Sequence, residues 1–471
     1  MTYLDFAATT PMSEEALEAY QTISLKVYGN TRSLHDIGGE AQHIVDYCRS
    51  RLGELLGAET EGVYFTSGGT ESNHLVIQSL LQGLPPSRRH FITTSVEHAS
   101  IRGLTQYLTG IGYEVTIVEP DRKGLITPEA LNTHLRDNTG LVSIQHANSE
   151  TGIVQCLADI SPLLKERGII LHTDAVQSFG KIPINVHELG VDALSISSHK
   201  IYGPKGVGAA YIRPGVYWRP VFPGTNHEGG FRPGTVNAPG IAAFVAAAEA
   251  LLPNIEQLGR HYEELRTLFF REARERGLPL QPVAHPVHTE ANAEDNTEDN
   301  AGSNHIRGSY AVDYGHGLEH GYQLEHKFEH EHELDHMHEH EHEQQRESIH
   351  APTNPGSNSS RTEQTPFAVQ SPVRLVPHIA GFYYYGYEAQ YVMLECNRKG
   401  ISVSTGSACA SGYQEPSPSI TALAGPPENA LHFLRMSMGR TTTAEDIYRL
   451  LDVLEDLTNR RGNRSERGKH I

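Results

Sequence analysis

Between residues 60 and 215 the chain alternates short β-rich runs with helical patterns, and no other feature constrains its fold as tightly. Segments 63–66, 91–94, 113–118, 141–144, 169–172, 193–196 and 207–212 read as strands. Segment 70–81, a run from Ala99, and the segment holding residues 162–167 read as helices between them. Strands and helices in this order predict an α/β fold: a mainly parallel sheet with helices on both faces. In such sheets ligands sit beyond the carboxyl ends of the strands. The chemistry of the chain is therefore expected just after its strands.

Beyond the alternating region, residues 241–252 are Ala-rich and helical, and a second helix is expected over 255–276 after a break near Pro253. Strands at 382–385, 401–403 and 431–436, with helices at 388–399 and 444–457, suggest a smaller α/β unit. The resulting division is an N-terminal segment, 1–15, packing with the small domain, then a large domain, 16–252. A small domain follows from 253–284 and 372–471, interrupted by an insert, 285–371.

The insert lacks apolar periodicity and reads as disordered. It holds 17 acidic against 4 basic residues and 13 of the 28 histidines, so it accounts for −13 of the formal charge of −19. The other 384 residues are mildly acidic, and neither part is a basic nucleic-acid binder. Four cysteines without CxxC spacing are too few for a disulfide scaffold. No secretory signal is evident at the N-terminus. The most apolar stretch, 240–252, contains Glu249 and is too short for a bilayer. A reducing cytoplasm and free thiols are expected.

Six motifs carry reactive groups. Lys200, in Ser197-Ser-His199-Lys200 before a Gly/Pro loop, follows a strand, where a Schiff base to a cofactor aldehyde is reasonable. Taken alone, it reads as a surface lysine beside a turn. Asp174 at another strand end can pair with a protonated pyridine nitrogen, or cap a helix. The turn Ser67-Gly-Gly69-Thr70 precedes a helix and suits a phosphate, or is a plain turn. His98 after a strand can stack on a ring and move protons, or be structural. Cys409 lies in a loop of small residues that suits a travelling nucleophile. Arg435 in a strand-like run calls for an anion, either a substrate α-carboxylate or a structural partner. Cys48, Cys156 and Cys396 sit in more regular patterns and read as inert.

The order of these motifs resembles the NifS/IscS-type cysteine desulfurases, enzymes of the class V aminotransferase family that use pyridoxal 5′-phosphate (PLP). The resemblance begins at Tyr3-Leu-Asp5-Phe-Ala-Ala-Thr-Thr-Pro11. It then takes in Gly29-Asn30, His35, Thr66 to Asn73, Glu97-His98, Asp174 to Gln177, Ser197 to Gly206, Arg232-Pro-Gly-Thr235, Thr405 to Cys409 and Arg435 to Arg440. It implies a PLP-dependent transferase fold (aspartate aminotransferase-like, fold type I) with a large, mainly parallel-sheet domain and a small α/β domain. It implies that Lys200 carries PLP and moves the Cα proton, that Asp174 and Gln177 hold the ring, and that His98 stacks on it. Gly69, Thr70, Ser197 and His199 are implied to bind the phosphate, with Thr235 reaching the phosphate of a partner subunit in a homodimer. Arg435 and Asn30 take the substrate carboxylate, and Cys409 becomes a persulfide as L-cysteine becomes L-alanine. The sulfur acceptor is implied to be an iron–sulfur scaffold or a dedicated client such as quinolinate synthase. Another PLP enzyme of the same fold, a selenocysteine lyase or an aminotransferase, is the alternative, and a metal-binding protein using the insert is a second.

Two departures stand out. The family's Asn-Asn-Glu run reads Asn148-Ser149-Glu150, which puts a hydroxyl where an amide normally lies by the cofactor. Gly29-Asn30-Thr31 replaces the commoner Gly-Asn-Pro. The family also lacks the insert. There His332, His336 and His340, and likewise His338 and His342, would align on a helix and could take Zn²⁺ or Ni²⁺; a neutral solvated linker is the alternative.

Overall fold

The computed structural model describes residues 1–224, 226–283, 373–406, 417–424 and 426–467, without the side chains of 427 and 461–467. A two-residue strand, β1 (Thr2–Tyr3), opens the chain. Ser13 then caps α1 (Glu14–Lys26) by accepting from Ala16 N, and acids in the first turn and Lys26 in the last complement the helix dipole. Helix α2 (Asp36–Leu56) stops at Gly57, whose φ of 61° is the left-handed C-cap that glycine adopts without steric cost.

The alternating region follows as β2 (Val63–Thr66), α3 (Gly69–Gly83), β3 (His90–Thr94), α4 (Ala99–Gly110), β4 (Glu114–Val118), α5 (Pro128–Asn132), β5 (Thr139–Ser143), α6 (Leu157–Glu166), β6 (Ile170–Asp174), α7 (Val186–Leu189), β7 (Ala193–Ser197) and β8 (Gly208–Ile212). Its seven strands form one sheet in the order β2-β8-β7-β6-β5-β3-β4. Strands β3 to β7 are mutually parallel, while β8 runs antiparallel to β7 and to β2. The reversal follows from connection length. Residues 198–207 are too few for the helical crossover that a parallel neighbour needs. Every residue of β3, β5, β7 and β8 is buried, as happens when both faces of a sheet are covered.

Helix α8 (Ala238–Leu251) passes through the 3-10 turn Leu252–Asn254 into α9 (Ile255–Glu275). Ala243 and Ala247 of α8 meet Ala16 of α1, and small side chains let the two axes approach closely. The continuous run Ala238–Glu275 is longer than the stretch judged too short above. By length and composition it could cross a membrane, yet 61 % of its apolar window is buried inside this fold.

The remaining elements are β9 (Leu280–Pro282), β10 (Ile379–Tyr384), α10 (Ala389–Arg398), β11 (Ile401–Ser402), α11 (Pro418–Leu423), β12 (Phe433–Ser437) and α12 (Ala444–Arg467). Strands β12, β10 and β9 make an antiparallel sheet, and β1 pairs with β11 in parallel. A second core joins Leu4, Phe269, Phe382, Val392, Leu434 and Leu454. Full burial of each such side chain contributes about 1.5–3 kcal/mol. Although residues 283–378 separate them in sequence, β9 and β10 are direct neighbours, with Gln281 opposite Tyr383. The insert histidines His332, His336, His338, His340 and His342 lie outside the described residues. Among the described residues no cluster of three or more His, Cys, Asp or Glu could hold a metal ion.

Candidate active site

The carboxyl ends of β2, β3, β5, β6 and β7 open on one cavity of about 180 Å³, where the sheet order predicts a ligand. Gly69, Thr70, His98, Ser149, Asp174, Gln177, Ser197, His199, Lys200 and Arg435 all line it. Ten positions spread over 367 residues of sequence therefore share one space.

Asp174 ends β6. Its Oδ2 accepts from Asn73 Nδ2 at 2.7 Å and its Oδ1 from Val176 N at 3.0 Å. Asn73 also donates to Ser100 Oγ at 3.0 Å. Asn73 was not singled out from sequence. The available signal was its position four residues after Gly69, on the same face of α3. Both Asp174 and Asn73 are buried, so the carboxylate is fixed from below and faces the cavity with its charge little screened.

Lys200 lies one 3-10 turn beyond β7. Its Nζ donates to the carbonyls of Ala7 (2.6 Å) and Ala8 (2.8 Å). The Ala7 carbonyl also accepts from Gln177 Nε2 at 3.0 Å. Thr9 Oγ1 lies 3.0 Å from His199 Nδ1. Burial pushes the His199 imidazole down to about 4, aided by the charges of Lys200 and Lys205. The N-terminal segment thus reaches the cavity as well as pairing with β11.

One end of the cavity is formed by the start of α3, where Gly68 and Gly69 lie. Gly68 sits at φ 148°, and no side chain caps the helix, so its first N–H groups are available to an anion. A Cβ on Gly69 would come within 2.7 Å of Val176 Cγ2. His98 caps α4, with Nδ1 accepting from Ser100 N at 3.2 Å.

Arg435, on β12, is 1 % exposed. Its Nη2 donates to Asp5 Oδ1 at 2.6 Å and its Nη1 to the Ser149 carbonyl at 2.8 Å. The structural partner left open by the sequence is therefore Asp5. Ser149 enters through its backbone oxygen; no hydrogen bond is assigned to its hydroxyl among the described residues.

The described residues also hold buried titratable groups that sequence reasoning left unassigned. Glu97 is 1 % exposed, and burial pushes its carboxyl up to about 8 despite hydrogen bonds from Gln145 N and Thr94 Oγ1. Burial and the nearby charges of Lys200 and Arg440 bring Lys181 down to about 7. His146 and His172 are held down to about 4 and about 3, both chiefly by burial.

Three predicted positions are not brought to this cavity. Asn30 is exposed, does not line it, and accepts from Arg32 N instead. The loop bearing Asn30 is turned outward on its own backbone. Thr235 is exposed and lines a separate surface pocket with Arg232 and Gly234. Cys409 lies outside the described residues. The flanks of its loop are placed: Ser404 exchanges both backbone hydrogen bonds with Arg435, and Ser417 Oγ donates to Glu150 Oε2. Cys48 and Cys396 are buried and their thiols pushed up to about 12, as suits inert groups, whereas Cys156 is exposed.

The aminotransferase class-V profile matches residues 2–276 and 288–450. A NifS protein of Bacillus subtilis (strain 168) is 47 % identical over 96 % of this chain and 93 % of its own length. The cysteine desulfurase IscS of Dictyoglomus turgidum is 33 % identical over 96 % and 93 %. Among solved structures, a NifS-like protein superposes with a TM-score of 0.73 at 24 % identity, covering 97 % of this chain and 99 % of that one. The chain belongs to the class-V aminotransferase family, among its NifS/IscS-type cysteine desulfurases.

Proposed function

We propose that this protein converts L-cysteine to L-alanine and holds the released sulfur as a persulfide on Cys409. The observation that carries this reading is the convergence of Lys200, Asp174, His98 and Arg435 on one cavity at the carboxyl edge of the sheet.

The cavity suits PLP. A buried carboxylate is fixed at the depth of the site, an amine stands beside it, and a helix start meets the opposite end, where a Cβ on Gly69 would clash with Val176. Asp174 would hold the pyridine nitrogen, Lys200 the aldehyde carbon, and Gly69 and Thr70 the phosphate, with Ser197 and His199 beside it. When bound, PLP supplies an electron sink for the bonds at the substrate Cα and Cβ.

The chain's own groups supply the rest. Arg435 binds the α-carboxylate through its planar fork. Lys200, released from the Ala7 and Ala8 carbonyls, takes the Cα proton and returns one to the product. His98 lies on the wall of the same cavity and assists proton transfer. The Cys409 thiolate bonds to the substrate sulfur as the carbon–sulfur bond breaks. L-cysteine and one thiol thus yield L-alanine and one persulfide, with no external oxidant.

The exposed position of Thr235 supports a homodimer in which it serves the partner's phosphate site. Sedimentation of the holoenzyme checks that. The persulfide sulfur is destined for an acceptor protein, for which an iron–sulfur assembly factor or a dedicated client is our reading.

The decisive experiment compares PLP-loaded wild type with Cys409→Ala for sulfide and alanine released from L-cysteine with a reductant. Equal sulfide and alanine from wild type, and little from the variant, are expected. Undiminished release by the variant would mean that sulfur leaves by another route.

A further inference from the structure

Arg435 is nearly sealed from solvent, so its charge needs a partner at all times. Asp5 provides one at 2.6 Å from Nη2. The Ser149 carbonyl takes Nη1, and among the described residues Nε–H has no acceptor. The Asp5 side chain is 20 % exposed and belongs to the segment that also holds Lys200 and Gln177 through its carbonyls. A carboxylate entering the cavity toward Arg435 therefore meets a guanidinium already neutralised by another carboxylate.

We propose that Asp5 stands in for the substrate carboxylate: it occupies Arg435 in the resting protein and sets, by competition, how tightly the site takes the α-carboxylate of an amino acid. This rests on the reading of Arg435 as the carboxylate site. Two carboxylates on one fork repel each other, and that repulsion is strong where water is excluded. The ligand must shift Asp5 or share the fork through the open Nε edge. Either way its affinity is lower than an unshared arginine would give. Asp5 is thus a specificity-determining residue that acts through Arg435. The pairing also keeps a buried arginine from standing uncompensated while the site is vacant of substrate.

The test is calorimetric titration of PLP-loaded protein with two fragments of cysteine. One is 3-mercaptopropionate, which has the thiol and carboxylate but no amine. The other is cysteamine, which has the thiol and amine but no carboxylate. Asp5→Asn keeps the shape and a hydrogen-bond acceptor but removes the charge. It should bind 3-mercaptopropionate about tenfold more tightly than wild type, and cysteamine equally. Asp5→Glu should restore weak binding. Unchanged or weaker 3-mercaptopropionate binding by Asp5→Asn would overturn the proposal and make Asp5 a scaffold residue. Should Asp5→Asn not fold, Asp5→Ser gives the same reading. Arg435→Met separates the two claims. Its loss of 3-mercaptopropionate binding is expected. Wild-type affinity there would remove Arg435 from the carboxylate site and take the functional reading with it.

Discussion

Asn73 on α3 and Asp174 at the end of β6 are joined by a 2.7 Å hydrogen bond across 101 residues of sequence. The bond ties the helix proposed to hold the phosphate to the carboxylate proposed to hold the ring. Asn73→Ala leaves Asp174 with Val176 N as its remaining donor among those described. Loss of a hydrogen bond to a charged group costs roughly 1.5–3 kcal/mol. PLP affinity, followed by absorbance on titrating apoprotein, should fall at least tenfold, with the fold retained by circular dichroism.

Gly69→Ala tests the other end. The added methyl meets Val176 Cγ2 at 2.7 Å, so the helix start must move away from β6. The expected outcome is PLP retention weakened by an order of magnitude or more, while inorganic phosphate ceases to compete with the cofactor. Equilibrium dialysis of both ligands against the variant measures this.

Much of this arrangement was legible in the sequence. Each of the seven strands expected between residues 60 and 215 is present, with ends within a residue or two, because buried strands are short apolar runs closed by Gly, Pro and polar turns. Lys200, Asp174 and Gly69 were legible for the same reason: they directly follow those runs. What stayed hidden was partnership over long range. Nothing local to Arg435 points to Asp5, which is 430 residues away. The reversed direction of β8 was hidden too, since it depends on a connection length that sequence patterning alone does not translate into strand direction. Asn30 was read toward the substrate, yet within one chain its loop faces outward.

Buried histidines make the fold acid-sensitive. His146 and His172 are depressed to about 4 and about 3, against an ordinary 6.5. The unfolded chain therefore takes up protons that the folded protein refuses. Their contribution is full above pH 6.5 and is lost as pH falls through that value toward 4 and 3. The melting temperature should drop across this window by several degrees, and His172→Gln should reduce the slope. A slope unchanged in that variant would remove His172 as a cause.

Glu97 works in the opposite direction. Its carboxyl is raised to about 8 from 4.5, so its contribution is full below pH 4.5 and is lost as pH rises through 8. Glutamine keeps an acceptor for Thr94 and Gln145 without a proton to lose. Between pH 5 and pH 9 the stability of Glu97→Gln relative to wild type should rise by about 2–4 kcal/mol, discounting the linkage of 1.36 kcal/mol per pKa unit for relaxation. Urea unfolding at the two pH values reads this directly.

Strands β9 and β10 pair in register although residues 283–378 lie between them. In topology this is a hairpin, and its turn has been replaced by a long excursion of chain. Closing a loop grows more costly only with the logarithm of its length, about 0.6 kcal/mol for each doubling. The sheet therefore tolerates many lengths and compositions at this point. The same position gives the protein engineer a natural port, at which a reporter or an affinity module can replace residues between 284 and 372 while Val283 and 373–378 keep their pairings.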